Sequence, residues 1–232
     1  MEHFSNIQLF YSQEISDNFI QLKKDELFHC VNVFRKKNRD VIFVTDGKGK
    51  IFKARIIEIR KDFLRSEVLE EFSFDNKTKN LCICIPLLKN KDRFRFAIEK
   101  SVELGITRFI FFQSERTIAK NLDLGKIKKI MIESMKQSLR SYLPETEYFY
   151  SFKEMVNQIR DNNNLFLFDL ECSNKFSKDL VNFEHKNYFI FGPEGGLDKN
   201  EISIVGDERV FNFSSARLRT ETAIVKLVSL IT

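Results

Sequence analysis

Residues Phe191–Gly196 read FGPEGG, and Leu218–Ala223 read LRTETA. The chain of 232 residues holds only 8 Gly and 3 Pro, yet three of those Gly and one of those Pro fall within Gly192–Gly196. Gly192, Gly195 and Gly196 can take positive φ or let another group approach the backbone closely. Pro193 fixes its own φ and pushes Gly192 toward extended geometry. The apolar run NYFIF precedes the loop and the helical pattern KNEISIVG follows it. Taken alone, the loop fits two readings: an ordinary strand-to-helix turn leading to an N-cap at Asp198, or a ligand loop. It is not a P-loop, because no Gly-Lys-Ser/Thr follows, and it lacks the Gly-x-Gly-x-x-Gly dinucleotide pattern.

Working outward, the segment from Leu81 alternates strand and helix patterns. Strand LCICIPLL is followed by helix DRFRFAIEKSVEL, which Gly105 ends. Strand TRFIFFQ, helix KIKKIMIESMKQSLRS and strand ETEYFY come next, then helix KEMVNQIR, strand LFLFDL and helix KFSKDLV. After NYFIF and KNEISIVG come strand RVFNF and the final helix TETAIVKLVSLI. Such alternation predicts a parallel α/β sheet covered on both faces. Ligands bind beyond the C-terminal ends of strands in these sheets, where both GPEGG and Ser214–Thr220 fall. Thr220 reads as the N-cap of the last helix, and Arg217 and Arg219 precede an N-terminus that favours anions. That helix is apolar nearly all round, so it is buried in the core or in a subunit interface.

The N-terminal third reads as β-rich. Asp40–Glu58 predicts a hairpin around Asp46-Gly47-Lys48-Gly49, and Phe63–Leu69 continues in the same style. Lys24–Phe34 carries Leu27, Phe28, Val31 and Phe34 at near-helical spacing. A small barrel with one helix is the simplest container. The polar stretch SFDNKTK, residues 73–79, marks a linker between a domain of residues 1–72 and one of residues 80–232.

Hydrophobic residues make up 43% of the chain, enough for a real core. No run of 18 apolar residues occurs and the start MEHFSNIQLFYS has no signal pattern, so a cytoplasmic protein is expected. The four cysteines, Cys30, Cys82, Cys84 and Cys172, form no C-x-x-C pair, and only His3, His29 and His185 could assist them. Reduced core thiols and no metal are expected. Charge is uneven. Residues 73–144 carry 15 Lys/Arg against 7 Asp/Glu, whereas residues 145–232 carry 10 against 14. That basic middle fits either a polyanion partner or a solvated Lys-rich face.

Four segments in order resemble the RsmE-type family, which methylates N3 of uridine in small-subunit (16S) ribosomal RNA and belongs to the SPOUT class of knotted methyltransferases. They are DRFRFAIEKSVELGITRFIFFQSERT, ESMKQSLRSYLPE, FGPEGGLDKNEI and LRTETA. The N-terminal third is similar, more loosely, to the family's PUA-like barrel. The resemblance implies a C-terminal trefoil knot binding S-adenosylmethionine, and a homodimer. It places the cofactor on Leu170 and Glu171, on Gly192, Pro193, Glu194, Gly195 and Gly196, and on Phe213, Ser214, Leu218 and Thr220. Three positions depart from the family. Phe213-Ser214 stands for the usual Leu-Gly, Ala216-Arg217 for Arg-Ile, and Asn38-Arg39-Asp40 for Val-Gly-Asp.

Uracil N3 carries a proton, so methyl transfer to it needs a base or a cation that stabilises the uracilate. Arg219 or Arg217 is the candidate cation, and Glu221 or Glu194 the candidate base. An Arg–Glu structural clamp is the competing role. Arg116 and Arg140 resemble family positions near the active site, with a helix cap and a solvated helix end as the plainer readings. Lys126, Lys128, Lys129 and Lys136 are expected to contact phosphates. Other readings are a methyltransferase of this class acting on another RNA, a non-catalytic RNA-binding protein of ribosome assembly, and a nucleotide-binding α/β enzyme.

Overall fold

The computed structural model describes residues 7–16, 18–118, 121–161 and 163–232. His3 lies outside them. Contacts divide the chain into two compact units: residues 1–76 with 132–143, and residues 77–131 with 144–232.

The first unit is a six-stranded sheet of β1 (Leu9–Tyr11), β2 (Glu14–Ile15), β3 (Phe19–Lys23), β4 (Val41–Thr45), β5 (Lys50–Ile59) and β6 (Phe63–Ser73). The strand order is β1-β4-β5-β6-β3-β2, antiparallel except for the β1–β4 pair. The predicted hairpin joins β4 to β5. Asp46 Oδ1 accepts from the amides of Lys48 (2.7 Å) and Lys50 (3.0 Å), and Gly47 and Gly49 take φ of +71° and +108°. Alternation puts Ala54 and Ile56 in the core and leaves Arg55 and Ile57 outside. The predicted helix is shorter than its pattern: α1 (Lys24–Phe28) runs into a wider π-type turn, His29–Val33.

Residues 132–143 belong to this unit, although their sequence position lies far inside the predicted second domain. Leu139 packs on Leu9 and Ile51, and the backbone of Leu143 donates to Gly47 O at 2.9 Å. Lys136, expected on phosphate, is instead buried at 8% exposure with its ammonium on Glu26, which also accepts from the Tyr11 amide at 3.0 Å. A composition break marks where a chain leaves a unit; it carries no signal for a return.

The second unit holds β7 (Leu81–Pro86), β8 (Arg108–Phe112), β9 (Glu145–Phe149), β10 (Asn164–Phe168), β11 (Asn187–Ile190) and β12 (Val210–Phe211). Every pairing is parallel, in the order β12-β10-β11-β7-β8-β9. Helices α2 (Lys91–Glu103), α4 (Phe152–Ile159), α5 (Lys199–Val205) and α6 (Thr220–Ile231) belong to it, and α3 (Leu124–Gln137) runs from this unit into the first. β7 and β11 are buried at every residue, as central parallel strands are. Asn90 caps α2 by accepting from the amides of Asp92 (2.9 Å) and Arg93 (3.0 Å), and Gly105 ends it at φ +103°.

The helix predicted over residues 175–181 is only a short 3-10 turn, Lys178–Leu180. Its start is used otherwise: Phe176 donates from its backbone to Asn212 O at 2.9 Å, and its ring meets Phe166 and Phe168. Burial pushes the Cys30 thiol up to about 12 and, with the neighbouring Cys82, holds Cys84 well above the ordinary thiol range. Both stay protonated at neutral pH, and all four cysteines are free. The path through β7, β8 and β9 advances one way. The chain then crosses over, and β11 inserts between β10 and β7. That reversal creates the switch point beyond which ligands bind in open α/β sheets.

Candidate active site

Five loops leave the C-terminal ends of β7, β8, β10, β11 and β12, and hydrogen bonds join all five into one cluster. The loop after β11 is GPEGG. Gly196 N donates to Pro193 O at 2.9 Å and Gly196 takes φ +71°, a turn that favours glycine. A Cβ at Gly192 would lie 3.3 Å from Leu197 N and 3.5 Å from Gly196 Cα, so the loop closes on itself there. At Gly196 a Cβ would meet no described atom within 4 Å, so the space beside that residue is open.

Thr220 was expected to cap α6. Its hydroxyl instead donates to Gly192 O at 3.0 Å, and Arg219 takes the cap position without a side-chain bond. FGPEGG and LRTETA are thus one joined structure. The loop after β7 contributes the Lys89 amide, which donates to Glu194 Oε1 at 3.1 Å. Glu194 is therefore engaged as a loop tether. From the loop after β8, Arg116 Nη1 donates to Gly195 O at 2.8 Å.

The loops after β10 and β12 are joined by Asn212. Its Nδ2 donates to Leu170 O at 2.7 Å, and its Oδ1 accepts from Ser214 N at 2.8 Å. Phe213 packs edge-on against Phe168 at 4.8 Å, with the Lys226 ammonium 5.6 Å from its ring centre. Leu170 and Glu171 stand exposed at the end of β10.

Arg217 and Arg219 are exposed on the approach to α6, whereas Glu221 is 7% exposed. Glu221 Oε1 lies 3.5 Å from Arg93 Nε on α2, so its partner is Arg93 and neither of the arginines beside it in sequence. Its Oε2 is buried with no hydrogen-bond partner among the described residues. Lys126, Lys128 and Lys129 are exposed in the first turns of α3, with Lys126 3.6 Å from Asp123. Arg140 is exposed in the first unit.

Sequence reasoning missed Lys89, Arg93, Asn212 and Glu201. Glu201 had a legible signal, the capping-box spacing Asp198-x-x-Glu201. Asn212 had only its polarity within RVFNF, and Lys89 acts through a backbone group that no side-chain pattern reports. Among the described residues no group of His, Cys, Asp and Glu could hold a metal, and no helix is long and apolar enough to cross a membrane.

The RNA methyltransferase domain family matches residues 75–232, and the RNA methyltransferase PUA domain matches residues 22–69. The chain belongs to this RNA methyltransferase family. Ribosomal RNA small subunit methyltransferase E of Aquifex aeolicus is 28% identical over 237 residues, covering 97% of this chain and 99% of that one. The Bacillus subtilis protein of the same name is also 28% identical, covering 86% and 84%. Among solved structures, ribosomal RNA small subunit methyltransferase E from Neisseria gonorrhoeae, bound to S-adenosyl methionine, superposes with a TM-score of 0.86 at 27% identity over 97% and 96% of the chains. The two units are accordingly the PUA-like barrel and the SPOUT-type knotted α/β domain that the motifs implied.

The residues present fit an adenosine-bearing sulfonium cofactor. Leu170 and Phe213 offer apolar surface, and the exposed Glu171 carboxylate suits ribose hydroxyls. Gly196 opens onto free space, and no lysine stands in the GPEGG loop to favour a phosphate instead.

Proposed function

We propose that the protein is an S-adenosylmethionine-dependent methyltransferase acting on N3 of a uridine in small-subunit (16S) ribosomal RNA. The observation that carries this reading is the Thr220 hydroxyl on Gly192 O, which makes the two motifs one loop cluster at the sheet's switch point.

The cofactor supplies an electrophilic methyl group. The chain's contribution is position and charge. The joined loops after β10, β11 and β12 hold the cofactor by its adenosine and keep water from the reacting atoms, and alignment is the largest available term. Arg219, assisted by Arg217, stabilises the charge on O2 and O4 as uracil loses its N3 proton. Glu221 is the candidate to take that proton through Oε2, the oxygen that Arg93 leaves unpaired. The rival role, a structural clamp, has Arg93 as its partner.

The RNA partner is met at several places. Lys126, Lys128 and Lys129 on α3 contact phosphates, Arg116 lies nearer the target nucleotide, and Arg140 is a further RNA contact. On the barrel unit, Phe28 and Phe34 are 57% and 41% exposed, and Arg35, Lys37 and Arg39 stand exposed just beyond them. Aromatic faces among cations suit single-stranded RNA. A homodimer is part of the same reading, supported by Phe96 and Leu230, exposed at 43% and 47% on the packed pair α2 and α6. The place of action is the cytoplasm, where ribosomal RNA is modified.

One titration and one product map test the proposal. Calorimetry with S-adenosylhomocysteine should give a single class of site, and nucleoside analysis of methylated 16S RNA should yield 3-methyluridine. Absence of binding would leave a non-catalytic RNA-binding protein as the answer. Binding with the methyl group on another RNA would keep the chemistry and change the substrate.

A further inference from the structure

We infer that Glu201 is a positioning residue, whose buried carboxylate clasps the loop after β8 to the loop after β11 and so sets the cofactor floor. The inference rests on the methyltransferase reading above and names a residue that reading does not use.

Glu201 sits at the third position of α5. A glutamate there ordinarily completes a capping box, bonding back to the cap amide from the solvent side. That box is complete here: Asp198 N donates to Glu201 Oε2 at 3.0 Å, and Glu201 N donates to Asp198 Oδ1 at 2.8 Å. The second carboxylate oxygen takes no part in the box. Oε1 accepts from the amide of Glu115 at 3.0 Å, across 86 residues of chain. Glu201 is only 5% exposed, so water is a poor substitute acceptor for either amide. A carboxylate holding two backbone N–H groups makes charge-assisted bonds, stronger than neutral ones.

The next residue closes the clasp. Arg116 Nη1 reaches Gly195 O at 2.8 Å, and its Cβ and Cδ lie 3.7 Å from where a Cβ on Gly195 would stand. Residues 115 and 116 therefore grip the segment Gly195–Glu201 at both ends, and between those grips lies Gly196 with φ +71°. A loop held this way offers its backbone in one conformation, which lowers the ordering cost of binding.

Asp198→Ala separates the clasp from the cap. It removes the bond that Glu201 N donates to Asp198 Oδ1 and leaves Glu115 on Glu201. Glu201→Gln weakens both oxygens' bonds and brings an NH2 group against an amide. Glu201→Asp keeps the charge while shortening the reach, and serves if the glutamine variant fails to fold. The full-length protein is read by hydrogen exchange over Gln113–Thr117 without cofactor, and by calorimetry with S-adenosylhomocysteine. Glu201→Gln and Glu201→Asp should speed exchange at Glu115 and raise the Kd for S-adenosylhomocysteine by about tenfold each, the loss of one charge-assisted bond. Asp198→Ala should leave both within about twofold while lowering the melting temperature, as a lost cap does. Equal effects of Asp198→Ala and Glu201→Gln on both readouts would reduce Glu201 to a helix cap, and unchanged Glu115 exchange in the Glu201 variants would remove the clasp altogether. A parent protein that binds no S-adenosylhomocysteine overturns the methyltransferase reading instead, with exchange still deciding the clasp.

Discussion

The loop after β11 and the loop after β12 leave parallel strands on either side of β10, yet they are held in opposite ways. GPEGG is held from outside. Lys89, Arg116 and Thr220 come from three other parts of the chain to bond Glu194, Gly195 and Gly192. The stretch Phe213–Arg219 is held mostly from within. Ser214 N bonds Asn212 Oδ1, and the Ser214 hydroxyl donates to Ala216 O at 2.9 Å and accepts from Ala216 N at 3.3 Å. Residues Ser215–Arg217 are exposed. A loop with many outside partners constrains every residue it contains. A loop that closes on its own side chains can change identity while keeping its path. This accounts for a GPEGG stretch that keeps its resemblance to the family's loop while Phe213-Ser214 and Ala216-Arg217 depart from it.

Division of labour between the two loops is the sharpest consequence. Arg219→Ala should lower kcat by about 10² to 10³, the size expected when a cation facing developing charge is removed. Affinity for S-adenosylhomocysteine should hold within about threefold, because the Arg219 side chain anchors neither loop. In the same assay, Glu221→Gln should flatten the pH–rate profile if Glu221 is the base; a variant matching the parent in rate and profile would make it the Arg93 clamp alone. If Arg219→Ala weakened cofactor binding as much as turnover, the two loops would not divide binding from chemistry.

Thr220→Val makes the reverse prediction. The substitution keeps the shape and removes the hydroxyl from Gly192 O, so a partly buried carbonyl loses its partner at about 1–3 kcal/mol. The Kd for S-adenosylhomocysteine should rise by about tenfold or more by calorimetry, with the rate at saturating cofactor changed far less. A Thr220→Val protein with parental affinity would mean that the two motifs are neighbours and nothing more.

These expectations follow from features of unequal visibility in the sequence. The parallel sheet was legible because Leu81–Ile85 and Tyr188–Phe191 are apolar at every position and helical patterns alternate with the strands. The hairpin was legible because Asp46–Gly49 needs positive φ twice. The helix expected over residues 175–181 failed because Phe176 has a stronger use, packing among Phe166 and Phe168 while its backbone pairs with Asn212. The return of residues 132–143 to the barrel unit, with the burial of Lys136 on Glu26, was illegible. A lysine in a basic stretch looks the same whether it faces solvent or a half-buried carboxylate 110 residues away. Thr220 reads in the sequence as the N-cap of the last helix, whereas Arg219 holds that position and the Thr220 hydroxyl meets Gly192 O, since local spacing favours the nearest amides and says nothing of Gly192.

The smallest effects compare two positions where this chain replaces a glycine usual in the family. Arg39 keeps the backbone that glycine serves, at φ +76°, while Ser214 is not among the residues of positive φ. Arg39 therefore carries the left-handed penalty of about 1–2 kcal/mol for a residue with a Cβ. Arg39→Gly relieves it, against a loss of about 0.5–1 kcal/mol in chain entropy. Its backbone bond from N to Ile56 O at 2.8 Å is unaffected. Urea unfolding should show a net gain of about 0.5–1 kcal/mol, and if Arg39 touches RNA, the salt slope of binding should fall by about one. Ser214→Gly gains nothing from φ and loses the hydroxyl that closes the turn on Ala216, so it should be neutral to destabilising by about 1 kcal/mol. Stabilisation by Ser214→Gly together with destabilisation by Arg39→Gly would reverse the comparison. It would mean that the arginine had acquired contacts worth more than its strain, and that the self-held loop carries strain of its own.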